Sequence, residues 1–229
     1  MKQQVTTGIM LSRTNYGEAD RILTVLTPDK GKIRLLAKGV RKIKSRMAGG
    51  IELFSVNDIT YIEGRSELGT LISSRLQTNY GNIIKDVNRT MYAYEVLKLL
   101  NKVTEDSPES EYFDILQNCL TALNIADVGT EYVQLWLTVR LLDFSGHSPN
   151  LLTDTEGKAL AEAGLYNFSF EDMTFAEHPS GRFSGKHLKL LRLVQRTTPM
   201  QLAKVEGVQD LLKPLVQLTK TMLAQNVRV

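Results

Sequence analysis

The stretch ADRILTVLTPDKGKIRLLAKG, residues 19–39, decides the fold. Its first nine residues alternate Ile22, Thr24 and Leu26 against Leu23, Val25 and Thr27. Both sets carry apolar side chains, as in a strand of a small closed sheet. TPDKG then supplies a turn: Pro28 suits its second position, and Gly31 the left-handed residue that closes it. KIRLLAKG alternates again, with Lys32 and Arg34 against Ile33 and Leu35, so the second strand has a basic outer face.

Three further strands flank this hairpin. VTTGIMLSR, starting at Val5, is rich in β-branched residues; ELFSVNDITYI, from Glu52, reads as a longer strand; LGTLISSRLQTNY, from Leu68, returns after a tight EGRSE connection. Five short strands within about 75 residues, with a long loop after the third, predict an OB-type barrel over residues 1–80. An SH3-like barrel has the same strand count.

After Tyr80 the period becomes helical. NRTMYAYEVLKLLNKVT places Met91, Tyr92, Val96, Leu99, Leu100 and Val103 on one stripe. Ser107 and Pro108 suit the start of a second helix, whose apolar face is Tyr112, Phe113, Leu116, Cys119, Leu120 and Leu123. A third buries Tyr132, Val133, Trp136, Val139 and Leu142 and stops at Gly146. Residues 147–183 are less regular, with a short helix over TDTEGKALAEAG and a hairpin turning at Glu171–Met173. Helices open again at Ser184 and around Pro214, which implies a kink or a helix start. The fold class is α+β: a barrel domain at 1–80, then a helical domain at 81–229 with a small inserted module at about 147–183.

Charge is unevenly spread. Residues 1–80 hold 13 Lys or Arg and 7 Asp or Glu, a net of +6; residues 81–229 hold 15 and 18, a net of −3. Lys30, Lys32, Arg34, Lys38, Arg41, Lys42, Lys44 and Arg46 put eight cations in 17 residues with no anion between them. A solvated turn explains one or two of these, not eight. Focused charge of this kind is the footprint of a polyanion partner, gripped through its phosphates without sequence preference. Arg13 and Arg65 would extend the stripe. Tyr16, Phe54, Tyr61 and Tyr80 read as core or rim, with Tyr16 the best of them for stacking a base.

Other chemistry finds little support. GRFSGK, residues 181–186, has three residues between its glycines where a phosphate loop needs four, and His187 stands where Ser or Thr would meet magnesium. His147, His178 and His187 fit no zinc spacing, and Cys119 is the one cysteine, placed on an apolar helix face. No nucleophile elbow or triad order accompanies the carboxylates near the histidines. The expectation is a protein with no catalytic residues, no metal and no cofactor. MKQQVTTGIML lacks the apolar run of a signal peptide, and no segment has the roughly 20 apolar residues of a membrane span. A cytoplasmic, nucleoid-associated location with no membrane partner follows.

YGEADRILTVLT, GKIRLLAKGVRK and KSRMAGGIELF, in this order and spacing, resemble the start of the bacterial recombination mediator family RecO. LYNFSFEDMTF followed by SGRFSGKHLKLLRLV resembles that family's later hairpin and helix. The resemblance implies an OB domain, a helical domain and a nonenzymatic role. Such proteins bind single- and double-stranded DNA and anneal complementary strands. They also help load the recombinase onto DNA coated by single-strand DNA-binding protein, with RecR and in many bacteria RecF as partners. A second surface is implied for the acidic, aromatic-ended tail of single-strand DNA-binding protein, and Arg140, Lys186, Lys189 and Lys213 could rim its groove. Many members bind zinc through two cysteine pairs in the inserted module. No cysteine lies between Gly146 and Gly185 here, so zinc is not expected, and Phe168, Phe170 and Phe175 would supply a small apolar core instead. A protein-interaction adaptor and an RNA-binding barrel are the rival readings.

Overall fold

Alternating apolar residues close the N-terminal strands into a barrel. The computed structural model describes residues 2–43, 50–64, 67–104 and 110–227. The chain forms two compact units, Met1–Ala126 and Asp127–Val229. In the first, β1 (Gln3–Tyr16), β2 (Asp20–Thr27), β3 (Gly31–Ala37), β4 (Ser55–Ile62) and β5 (Leu68–Asn79) form a closed barrel in the order β1-β2-β3-β5-β4. β1 closes it by pairing twice: its first half with β4, from Gln3 opposite Ile62, and its second with β2, down to Tyr16 opposite Asp20. A register shift between Met10 and Ser12 marks the change. β3 and β5 are parallel over three residue pairs, the seam of an OB-fold.

Met10, Leu23, Val25, Leu35, Ala37, Ile59, Tyr61 and Leu71 fill the barrel. Gly8 is required there, because a Cβ would run into Val25 and Ile59. The β2–β3 turn forms as its residues dictate, with Gly31 at φ 62°. The buried Thr27 hydroxyl donates to the Gly31 carbonyl at 2.9 Å and accepts the Lys30 N–H at 3.1 Å. The fourth strand is shorter than the sequence predicts. It begins at Ser55, because Phe54 adopts φ 59° and residues 50–54 instead pack Ile51 into the core.

A 3-10 turn (Ile83–Lys85) leads into α1 (Val87–Val103), where Asp86 caps by accepting the Arg89 N–H at 2.9 Å. α2 (Ser110–Leu123) packs against α1 and against β2. The Ser107–Pro108 start expected for α2 lies outside the described residues. Phe113, Leu116, Cys119, Leu120 and Leu123 are buried as predicted, and Tyr112 is half-buried. On α1 the buried face is Tyr92, Ala93, Val96, Leu97 and Leu100. Met91, assigned inward from the sequence, is 60% exposed, on a line with Val87 and Tyr94. The Arg89 guanidinium donates to the carbonyls of Leu123, Ile125 and Ala126, closing the C-terminus of α2.

The second unit is built on α3 (Thr130–Phe144), buried nearly all round. α4 (Gly185–Val194), α5 (Pro199–Leu202) and α6 (Gln209–Asn226) surround it. The Trp136 indole donates to the Thr197 carbonyl at 2.6 Å, and the Thr138 and Thr219 hydroxyls pair at 2.7 Å. α6 runs through Pro214 at its sixth position, so the Asp210 carbonyl loses its helical donor. A three-stranded sheet, β7 (Thr174–Glu177), β6 (Leu165–Ser169), β8 (Phe183–Ser184), carries the expected hairpin. The helix expected over 153–164 is absent. Thr153 bridges Ala159 instead, around a turn in which the Asp154 carboxylate accepts the N–H groups of Glu156 and Lys158. An Asp at this position competes with helix by forming such turns.

Candidate nucleic-acid interface

Every second residue of β3 faces out, so Lys32, Arg34 and, one step past the strand, Lys38 lie along one line. Register extends this face across the hairpin. Arg34 stands opposite Thr24 and Leu36 opposite Ile22 on β2, while Thr14 and Tyr16 stand opposite Ile22 and Asp20 on β1. The outer side of β2 and β3, with the loops at its ends, is where OB-folds take oligonucleotides. Here its lower end is covered by the protein's own helices. Leu26 is fully buried, α2 packs on β2, and the Lys32 ammonium donates to the Asn101 carbonyl near the end of α1 at 2.7 Å. The open part runs from Arg34 and Thr24 up to the β1–β2 tip.

Past β3 the chain turns. Ala37 and Val40 are buried, Gly39 takes φ 65°, and Lys38, Arg41 and Lys42 point into solvent. The segment is stitched to the β1–β2 tip. The Gly39 N–H donates to the Asp20 carboxylate at 2.7 Å, the Arg41 N–H to the Ala19 carbonyl at 2.9 Å, and the Arg41 guanidinium to the Gly17 carbonyl at 3.3 Å. A cleft of about 400 Å³ adjoins the line, lined by Lys30, Lys32, Arg34, Tyr61, Glu63 and Glu67 among others. Burial, Glu63 and Asp29 hold the Tyr61 hydroxyl above its usual pKa.

The structure thus brings Lys30, Lys32, Arg34, Lys38, Arg41 and Lys42 to one side of the barrel. Lys44, Arg46 and Arg65 lie outside the described residues. Arg13 is elsewhere: it shares the core-side parity of Leu23 and bonds Glu52 at 2.7 Å and the Ile51 carbonyl at 3.4 Å. Sequence reasoning also gave no role to Glu63 and Glu67, which put carboxylates beside the cations.

In the second unit the four cations assigned to a partner groove do not line the apolar groove found there. Arg140 pairs with Asp143 at 3.1 Å, Lys189 sits 3.7 Å from Glu162, and Lys186 and Lys213 are exposed. The groove, about 340 Å³, is lined by Phe168, Phe170, Phe183, Pro214 and Leu218. Its cation is Arg182, 6.0 Å over the Phe183 ring and bonded to Gln217. Arg182 was legible only as part of a failed phosphate-loop match. The module beside it does not fit zinc: Phe170, Phe168, Phe175, Phe183 and His187 follow one another edge to face at 5.0–5.8 Å. Among the described residues no three His, Cys, Asp or Glu converge on a metal position, and burial pushes the Cys119 thiol well above its usual pKa. No described helix is long and apolar enough to cross a membrane.

A closed barrel of this strand order, basic on its oligonucleotide-binding side and followed by helices, defines an OB-fold protein of the nucleic-acid-binding class. Comparison with known proteins narrows the class. Residues 1–80 match the family described as Recombination protein O N terminal, and residues 84–229 match Recombination protein O C terminal. The DNA repair protein RecO of an Exiguobacterium species is 30% identical over 226 residues, 97% of this chain and 87% of that protein. The DNA repair protein RecO of Alkaliphilus metalliredigens is 28% identical, covering 90% of this chain and 84% of that protein. That of Listeria welshimeri is 32% identical over 69% of this chain and 55% of its own length. The chain belongs to the RecO family.

Proposed function

We propose that this protein is a nonenzymatic mediator of recombinational DNA repair. It binds single- and double-stranded DNA on the β1–β3 side of the barrel and anneals complementary strands. With RecR, and RecF where present, it helps load recombinase onto DNA coated by single-strand DNA-binding protein. The observation that carries the reading is the line Lys32, Arg34, Lys38, continued by Arg41 and Lys42, on the outer side of an OB barrel. Cations held there neutralise phosphates and lower the repulsion between two strands brought together. No acid, base or metal is needed for that work. The tail of single-strand DNA-binding protein is assigned to the aromatic groove at Arg182, whose guanidinium suits a carboxylate and whose phenylalanines suit an aromatic end.

Fluorescence anisotropy of a labelled single strand across a salt series tests the reading. Replacing Lys38, Arg41 and Lys42 by alanine should weaken binding about tenfold at low salt. It should also flatten the log–log salt slope by up to about 2, roughly 0.7 for each phosphate no longer neutralised. Unchanged affinity and slope would move the DNA elsewhere.

A further inference from the structure

The tip of the β1–β2 hairpin ends in an aromatic ring that the fold leaves in water. Tyr16 closes β1 and is 54% exposed. It stands opposite Asp20, and Asp20 adjoins Arg21, the partner of Ala37, so Tyr16, Asp20 and the segment that starts at Lys38 lie together at this end of the barrel. Asp20 is occupied by the Gly39 N–H. The two Arg41 bonds to Ala19 and Gly17 hold the tip and the basic segment together as one body.

Phosphate contacts serve paired and unpaired strands alike. A ring can stack only on a base that is out of its duplex, and it does so whatever the base. We propose that Tyr16 stacks on an unpaired base of a DNA strand whose phosphates lie along Lys38, Arg41 and Arg34, so that this tip selects single-stranded over duplex DNA. The assignment rests on the DNA-binding reading above and adds to it the part that tells the two forms apart.

The test compares the native protein with Tyr16→Ala and Tyr16→Phe. The probes are a labelled oligothymidylate and the same strand paired with oligodeoxyadenylate, each across a salt series. Tyr16→Ala should weaken single-strand binding about tenfold at fixed salt and duplex binding by less than about twofold. Its salt slope should equal the native one, since every cation that meets a phosphate is kept. Tyr16→Phe, which keeps the ring, should restore native affinity. Equal binding by native protein and Tyr16→Ala overturns the proposal, as do equal losses on both probes or a failure of Tyr16→Phe. If the native protein binds neither probe, the DNA-binding reading falls too. If it binds with a steep salt slope and only the alanine variant is silent, stacking alone falls.

Discussion

Residues 30–42 and residues 166–183 are both stretches rich in one kind of side chain, and they use it in opposite ways. In the first, apolar positions are spent inward (Leu35, Ala37, Val40) while Arg34, Lys38, Arg41 and Lys42 are sent out, with hydrogen bonds from Gly39 and Arg41 fixing the backbone. In the second, Phe175 is fully buried and Phe168 and Phe183 pack edge-on against it, while Phe170, at the end of the row, stays exposed at the groove. Charge that a fold does not neutralise points to a partner; aromatic surface that a fold buries points to stability. The inserted module, which has no cysteine to hold a metal, is held by rings.

Substitutions can break this contrast. The largest effect belongs to Phe175→Ala, which should destabilise the protein by about 3 to 5 kcal/mol as a large buried ring is removed. Denaturant unfolding would show it. By contrast, the alanine replacements at Lys38, Arg41 and Lys42 should shift stability by no more than about 0.5 kcal/mol per site. A drop comparable to that of Phe175→Ala would make the basic segment structural rather than a binding surface.

An intermediate effect comes from Asp20, whose carboxylate stands beside the basic segment and positions Gly39. Asp20→Asn keeps an acceptor oxygen and removes the charge, so its affinity for single strands should rise. Asp20→Ala also loses the hydrogen bond, at about 1 kcal/mol of stability, and should bind less well than Asp20→Asn. Equal affinities in the two variants would show that the loop does not depend on that bond.

The smallest effect concerns His187. Its Nδ1 accepts the Ser184 N–H at 3.0 Å at the start of α4, and burial lowers its pKa below the usual 6.5. A histidine held neutral in the fold contributes fully above its ordinary pKa, and the contribution is lost as pH falls through the lowered value. Thermal unfolding at about pH 7.5 and about pH 5.5 should show a decrease that His187→Gln, still able to accept the bond, makes smaller. An identical decrease in the variant would assign the pH dependence to other groups.

The barrel was legible because its information is local and periodic. Lys32 and Arg34 alternate with Ile33 and Leu35, and Gly31 marks its turn. Phe54 was not legible, since nothing in a phenylalanine announces a positive φ. On α1, Met91 and Tyr92 both read as inward, and only the packing of the helix against its neighbours decides that Tyr92 goes in and Met91 does not. Of the candidate site, the cations were visible as a run. That Arg13 lies on the other side of its sheet follows from a register shift after Met10, which no residue type signals.

The double pairing of β1 has a consequence for the order of events on the ribosome. Gln3 finds its partner only at Ile62. At about 5 to 20 residues per second, the first half of β1 waits roughly 3 to 12 seconds for its neighbour to be made. Through that interval it is an unpaired edge, open to other nascent chains. Lys2, Gln3 and Gln4 stand where β1 begins. A charge and two amides there discourage a wrong strand from adding itself before the right one arrives.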